Sequence, residues 1–365
     1  MSTSEIRRLK EILEAEIEKS SNVFIIGHNS PDFDSIGSCI GLYAFAKYYS
    51  KNVYIIVDDN ELKIEPGVKR ILEESSHKYP YIKKSDFLSL VSEDSLLIVA
   101  DTNKEYMISV RDSLDKVGSI IIIDHHEEDS HTIKTDKKWI RTEASSASEI
   151  VARVLNLSKT HYSKRVANYL LVGICLDTHR FKQNTTSVTH DVAQKLLEHG
   201  ANIDYVNSLF LEEFGSYCRI SNLIVDGTTI KKYSESLLAP IQVSFTLNPN
   251  QPGEFLLKED YAKAADKMLS FHGIDASFVL GYVDEETVHI SARGNKKVNV
   301  GKIMQAMGGG GNEYSAGGRI ITSDLEGVEN ELMEKVPIGI SPEEDIYEEP
   351  PVIKVKKRRK KRKKH

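Results

Sequence analysis

The stretch VFIIGHNSPDFDSIGS, residues 23–38, predicts a buried β-strand, a polar turn and the start of a helix. A turn at this point needs little more than a proline and a few small polar residues. This one also contains an imidazole and two carboxylates, His28, Asp32 and Asp34. The sequence therefore indicates a positively charged ligand at the end of the strand.

Apolar runs of the same kind recur along the first half of the chain. They are NVYIIV at 52–57, SLLIVA at 95–100 and SIIIID at 119–124. Each is rich in β-branched residues and short enough to be a buried strand, and longer helical patterns lie between them. This alternation predicts an α/β fold, in which a parallel sheet carries helices on both faces.

The later patterns predict a second domain and a tail. Helical stretches complete a first domain at 1–212, and a helical linker is expected at 213–233. Strand and helix patterns between 234 and 336 predict a smaller α/β domain. Prolines and acidic residues then introduce a tail at 337–365, acidic first and basic afterwards, which we expect to be disordered.

The composition of the 365 residues is ordinary for a soluble globular protein, with 40% hydrophobic and 28% charged residues. The apolar runs are too short to span a membrane. The N-terminus predicts an amphipathic helix with a Ser2–Glu5 capping box rather than a signal peptide. Three cysteines far apart argue against a disulfide scaffold or a zinc cluster. We therefore expect a cytoplasmic protein without a membrane partner.

The net charge of −6 conceals a basic C-terminus. Ten Lys and Arg residues lie between Lys354 and Lys364, and without these ten charges the remainder carries −16. An acidic body does not indicate a nucleic-acid-binding domain. The tail is either a solubilising extension, a segment that folds back onto the body, or a segment that binds RNA or another polyanion through phosphates without base specificity.

Polar side chains follow several of the predicted strands and one helical run. The carboxyl ends of parallel strands share one edge of the sheet, so six groups can converge there. Four acids in one place would repel one another, and divalent cations relieve that repulsion. Imidazole and carboxylate ligands suit Mn²⁺, with Mg²⁺, Co²⁺ or Fe²⁺ as alternatives, and two such ions indicate a phosphoester hydrolase. The six residues are His28, Asp32, Asp34, Asp101, His125 and Asp177.

The motifs GHNSPDFDSIGS, VADTN, IIIIDHH and GICLDTHRF, in this order, resemble those of the DHH phosphoesterase superfamily. A later segment, ISARGNKKVNVGKIMQAMGGGGNEYSAGG, resembles the DHH-associated C-terminal domain, which binds substrate. Together they cover roughly residues 20–325. The resemblance implies one metal held by His28, Asp32 and Asp101. It implies a second held by Asp34, His125 and Asp177, with Asp101 bridging the two.

Other residues acquire roles from the same resemblance. It implies that His126 faces the substrate, as a phosphate contact or as the proton donor to the leaving oxygen, while Asp124 orients the turn. Arg293 and the run Gly308–Gly311 would contact a phosphate or a base. Asn312 stands where the family commonly has a histidine, and an amide cannot become cationic as an imidazole can.

The resemblance favours a phosphodiesterase for small nucleotides, with cyclic di-AMP or linear dinucleotides as substrates. The same layout serves nanoRNases, which trim short oligoribonucleotides and dephosphorylate pAp. Further alternatives are a RecJ-type single-strand exonuclease, an inorganic pyrophosphatase, and a non-catalytic nucleotide- or RNA-binding protein that keeps the fold. The family also makes a homodimer plausible.

Overall fold

The structure is a computed structural model. In it the chain forms two compact units, Met1–Leu211 and Glu212–His365. The basic tail lies outside the described residues, so its predicted disorder and its RNA binding stay predictions. The described residues are 2–50, 52–57, 64–158, 160–211, 214–233, 241–248 and 258–340.

Strands and helices alternate through the first unit. Its strands are β1 (Val23–Ile26), β2 (Val53–Ile56), β3 (Tyr81–Ile82), β4 (Leu96–Ala100), β5 (Ser119–Asp124) and β6 (Lys138–Ile140). Its helices are α1 (Thr3–Lys19), α2 (Phe33–Tyr49), α3 (Pro66–Ser75), α4 (Lys84–Leu90), α5 (Ala147–Leu157), α6 (Lys164–Asp177), α7 (Ser187–Glu198) and α8 (Ile203–Leu209). The capping box predicted at Ser2 and Glu5 begins α1.

The strands of this unit form one parallel sheet in the order β3-β2-β1-β4-β5-β6. In β1, Val23 and Ile25 pack into the larger core, which is built mainly by α1, α2 and α5–α8. The alternate residues Phe24 and Ile26 pack on the opposite face, where Phe87 of α4 covers them. The predicted parallel sheet with both faces covered is confirmed. β3 and β6 were not predicted, because strands of two and three residues leave little periodicity to detect.

The second unit contains a mixed sheet in the order β11-β12-β10-β9-β8-β7, in which β8 and β9 are parallel and the other pairs antiparallel. Its helices are α9 (Phe214–Gly227), α10 (Lys258–Leu269), α11 (Val300–Ala306) and α12 (Leu325–Gly339). Its strands are β7 (Thr228–Lys232), β8 (Gln242–Asn248), β9 (Ala276–Tyr282), β10 (Thr287–Gly294), β11 (Gly310–Gly311) and β12 (Ser315–Ile321).

Two expected boundaries differ from those observed. The segment 213–233, expected to be a helical linker, contains α9 followed directly by β7, which pairs with β8 at the edge of the second sheet. Residues 337–339, expected to belong to the tail, are the last residues of α12. Val336 and Gly339 are buried there, so packing carries the helix past Pro337.

Candidate metal centre

The candidate site lies where the strand order of the first sheet reverses. β1 and β4 are neighbours at its centre, and the chain leaves them toward opposite edges of the sheet. In doubly wound sheets such a point leaves a crevice beyond the carboxyl ends of the strands. His28 follows β1, Asp101 follows β4 directly, and Asp124 is the last residue of β5. The topology therefore brings three of the four motifs to one edge.

Asp32 begins helix α2 and also faces the site. One carboxylate oxygen, Oδ1, caps the helix by accepting the backbone N–H groups of Asp34 and Ser35, both at 2.9 Å. The other oxygen, Oδ2, lies 3.7 Å from Nε2 of His28. An Asp N-cap is a common structural device, but here its second oxygen remains available to a ligand.

Asp34 is fully buried in the first turn of α2, and the start of α5 holds its carboxylate. The N–H of Ala147 donates to Oδ2 at 2.7 Å, and the N–H of Ser148 donates to Oδ1 at 2.8 Å. A helix N-terminus stabilises negative charge because its first N–H groups have no partner within the helix. The role of these two N–H groups was not predicted from the sequence.

Asp101 occupies the middle of the site in a left-handed backbone conformation, with φ of 59°. Such a φ is uncommon for residues other than glycine, although asparagine and aspartate adopt it more readily than most. Oδ2 of Asp101 lies 3.5 Å from Nε2 of His28, and Oδ1 lies 3.5 Å from Nε2 of His125. One carboxylate therefore reaches both halves of the cluster.

Asp177 was expected in a loop but is the last residue of α6. Its Oδ2 lies 3.2 Å from Nε2 of His125, and Oδ2 of Asp34 lies 3.9 Å from the same nitrogen. The long apolar helix thus ends by placing a carboxylate at the site. Thr178 caps this end, donating its backbone N–H to Ile174.

The ligand atoms fall into groups that match the implied metal sites. His28, Asp32 and Asp101 form one set, and Asp34, His125 and Asp177 another; within each, one donor atom per residue lies within 4.8 Å of the others. Three buried atoms, Oδ1 of Asp101, Nε2 of His125 and Oδ2 of Asp177, have no hydrogen-bond partner among the described residues. Buried polar atoms normally have a partner, so the donor set fits a pair of divalent cations.

Crowded charge also shifts the pKa values of these side chains. Burial, and then the neighbouring charge of Asp101, raises the pKa of Asp34 to about 8. Burial, and then the charge of Asp34, raises the pKa of Asp177 as well. Burial lowers the pKa of His125, but the carboxylates of Asp101 and Asp177 outweigh that effect and raise it to about 10. Bound cations would offset the same excess of negative charge.

His126 differs from its neighbour, since its side chain is 57% exposed. Its Nδ1 lies 2.9 Å from Oδ1 of Asp124, which also accepts the backbone N–H groups of His125 and His126. The Nε2 edge of His126 is therefore the one left for a substrate. Sequence reasoning missed Asn103 of the VADTN motif, whose Nδ2 lies 2.6 Å from Oδ2 of Asp124.

The predicted substrate contacts of the second unit are engaged within that unit. Nε of Arg293 donates to Asp266 at 2.6 Å, so this carboxylate would compete with a phosphate. The N–H groups of Gly308 and Gly309 donate back to the end of α11. Gly310 and Gly311 form β11, and Oδ1 of Asn312 accepts two backbone N–H groups of a local turn. The structure brings the first unit's residues together, whereas Arg293 lies on β10 and Gly310 and Gly311 lie on β11, with β12 between these strands.

Two family models match the chain. The model described as "DHH family, N-terminal domain" matches residues 22–174, which include every residue of the candidate site except Asp177. The model described as "DHHA1 domain" matches residues 251–336. Within the described parts of the chain, no helix is both long and apolar enough to cross a bilayer.

Similar proteins of two kinds were found. The chain is 32% identical to the cyclic-di-AMP phosphodiesterase GdpP of Bacillus subtilis over 84% of its own length and 46% of GdpP. It is 25% identical to the bifunctional oligoribonuclease and PAP phosphatase NrnA of Thermus thermophilus, over 91% of this chain and 93% of NrnA. The chain thus spans about half the length of the cyclic-di-AMP phosphodiesterases that it matches.

Among solved structures, an exopolyphosphatase-related protein from Bacteroides fragilis resembles the chain with a TM-score of 0.74. The match covers 91% of this chain and 97% of the other, at 21% sequence identity. At that identity the likeness concerns the fold.

Proposed function

Because this chain belongs to the DHH family, we propose that it is a two-metal phosphodiesterase that hydrolyses small nucleotide phosphoesters. The observation that carries the proposal is the pair of ligand sets joined by Asp101, with the exposed imidazole of His126 beside them. His28, Asp32 and Asp101 would hold one cation and Asp34, His125 and Asp177 the other. Mn²⁺ is the proposed ion, because the donors are imidazole nitrogens and carboxylate oxygens.

When bound, a metal pair supplies a hydroxide at neutral pH and charge stabilisation for a phosphoryl group in transfer. The chain's own residues supply the rest. Asp124 orients His126 through Nδ1, so Nε2 can donate a proton to the leaving oxygen. In the second unit, Arg293 and the segment Gly308–Asn312 are the proposed contacts for phosphate and base.

Cyclic di-AMP and its linear product pApA are the proposed substrates, supported by the 32% identity to GdpP. A nanoRNase and pAp phosphatase activity is the second candidate. One observation favours it: NrnA matches this chain over 93% of its own length, whereas GdpP matches over 46%. A RecJ-type exonuclease and a non-catalytic binding protein are further alternatives, and the homodimer stays a prediction.

A substrate panel separates these activities. Purified protein with Mn²⁺ should hydrolyse cyclic di-AMP or pApA faster than pAp, and inorganic pyrophosphate should remain intact. Chelation with EDTA should abolish turnover, because the six ligand side chains are proposed to act by holding the cations. Added Mn²⁺ should restore turnover. Preferred turnover of pAp and short RNAs would establish the second candidate. Processive digestion of long single strands would indicate the RecJ type, and no turnover of any nucleotide would contradict the proposal.

For the basic C-terminus we propose contact with RNA through phosphate neutralisation. The ten basic residues between Lys354 and Lys364 support it, because each neutralised phosphate releases a counterion. Deleting residues 350–365 should weaken RNA binding and flatten its dependence on salt, without changing hydrolysis of a dinucleotide. Fluorescence anisotropy with a labelled RNA at several salt concentrations measures both. Equal affinity and equal salt dependence with and without the tail would exclude this role.

A further inference from the structure

We propose that Asn103 is a positioning residue that acts on His126 through the carboxylate of Asp124. The inference rests on the proposed function, since it concerns the proton donor of that reaction. Asn103 belongs to the VADTN motif, in which Asp101 is the metal ligand. In the described structure its side chain is fully buried and does not reach the metal ligands.

Asn103 connects two loops through both ends of its amide. Its Nδ2 lies 2.6 Å from Oδ2 of Asp124 and 3.1 Å from the backbone oxygen of His126. Its Oδ1 accepts the hydroxyl of Thr132 at 3.2 Å. The partners fix the orientation of the amide, because a carboxylate and a carbonyl need a donor while the hydroxyl can supply one. Both amide hydrogens are therefore committed to the turn that carries His126.

Asp124 transmits this constraint. Its carboxylate is completely buried, and Oδ1 accepts three bonds, from the backbone N–H groups of His125 and His126 and from Nδ1 of His126. A carboxylate held on one side only can rotate. The bond from Asn103 to Oδ2 fixes the opposite side, so that Oδ1 stays directed at Nδ1. A proton on Nδ1 leaves Nε2 as the nitrogen that faces the substrate.

Other contacts also hold the surrounding loop. The effect of Asn103 on His126 can therefore be distinguished from a general effect on the loop structure. Nζ of Lys104 donates to the backbone oxygen of Glu127 at 2.8 Å and pairs with Asp129 at 3.0 Å. Backbone bonds from Ile133 to Asn103 and from Glu105 to His131 join the same two segments. These contacts do not need the side chain of Asn103. Its removal should therefore disturb Asp124 and His126 more than the course of the loop.

The proposed proton transfer goes from His126 to the leaving oxygen. Water forms the new P–O bond, the P–O bond to the ribose oxygen breaks, and the imidazolium of His126 gives that oxygen its proton from Nε2. The proton released by water restores the imidazolium through solvent. A leaving group that departs as a stable anion, such as p-nitrophenolate, does not need the donated proton. The contribution of Asn103 should thus depend on the leaving group.

Kinetics with two substrates test this dependence. In the Mn²⁺-loaded protein, Asn103→Ala should lower kcat for pApA about 100-fold, within the range that general acids contribute. The same change should lower kcat for bis(p-nitrophenyl) phosphate about threefold or less, with bound metal unchanged. Thr132→Val is the matched control, because it removes the other bond of Asn103, and it should keep both rates. Equal losses on the two substrates, or an equal loss in Thr132→Val, would overturn the positioning role.

Nitrogen NMR of ¹⁵N-histidine-labelled, metal-free protein provides a second readout that does not require activity. His126, identified by the signal missing in His126→Gln, should carry the single proton of its neutral imidazole on Nδ1 in the native chain and in Thr132→Val. The Asn103→Ala spectrum should show the two neutral tautomers mixed. If the neutral imidazole of native His126 carries its single proton on Nε2, the inference fails whatever the variant does. If no nucleotide is hydrolysed but the tautomers behave as described, the proposed function fails and the Asn103 contact stands.

Discussion

Asp101→Asn is expected to reduce hydrolysis by about 10³-fold or more. Asp101 is the carboxylate that reaches both ligand sets, at 3.5 Å from His28 and from His125. Charge stabilisation by a metal pair amounts to several kcal/mol, and each 1.36 kcal/mol is a tenfold change in rate. An amide keeps the shape but loses the negative charge. The rate should be measured with the best substrate of the panel, at saturating Mn²⁺.

Asn is the more informative substitution at position 101, because it can adopt the backbone conformation of Asp101. Asp101 has φ of 59°, and asparagine is among the residues that adopt the left-handed region most readily. Circular dichroism should therefore show a folded protein, whereas elemental analysis should show fewer than two bound ions per chain. Asp191→Asn is the matched control: Asp191 is 57% exposed in a pair with Lys195, and its loss should change neither rate nor metal content. A near-native rate in Asp101→Asn would remove the basis of the two-metal proposal.

The sheet and the positions of the proposed ligands along it were predictable from sequence, because each depends on a local pattern and on the geometry of parallel strands. Apolar runs such as SLLIVA give the strands, and parallel pairing carries the residues after them to one edge. Asp101 could be located in this way, since only its position after β4 matters. The spacing of ligand atoms was not predictable, because it depends on how α2, α5 and α6 pack.

Contacts between distant segments account for what sequence reasoning missed. The N–H groups that hold Asp34 come from Ala147 and Ser148, more than a hundred positions away along the chain. In the sequence Asn103 is an ordinary polar loop residue, and only the structure shows its hydrogen bond to Asp124. From the sequence alone, Arg293 is expected to be available to a phosphate, but in the structure it pairs with Asp266 of α10. In each case the sequence supplies the group and the tertiary structure decides its partner.

Gly173→Ala is expected to lower both stability and activity, although helix propensity predicts the opposite. Gly173 lies within α6, where alanine is favoured over glycine by about 1 kcal/mol. A Cβ at this position would lie 2.4 Å from Oγ of Ser148 and 2.8 Å from Oδ1 of Asp34. The carboxylate of Asp34 cannot move freely, because it accepts two backbone bonds from α5.

Overpacking of a close-packed interior costs about 1–3 kcal/mol, which exceeds the gain in propensity. The melting temperature should therefore fall. Displacing Asp34 also displaces a ligand, and a shift of about 1 Å can cost about 100-fold in rate. Thermal unfolding with and without Mn²⁺ measures the first effect, and the increase in melting temperature on adding Mn²⁺ should be smaller than in the native chain.

Gly41→Ala separates damage to the metal site from damage to packing. A Cβ at Gly41 would lie 2.7 Å from Cγ1 of Val151 and 2.8 Å from Cδ2 of Leu170, two apolar side chains that supply no proposed ligand. Gly41→Ala should lower the melting temperature but leave metal content and rate within about threefold of the native chain. A large loss of rate requires displacement of groups in the site, which this substitution does not contact. If Gly173→Ala instead raises stability and keeps full activity, helix propensity outweighs the contact, and the close approach of α6 to Asp34 does not determine the site.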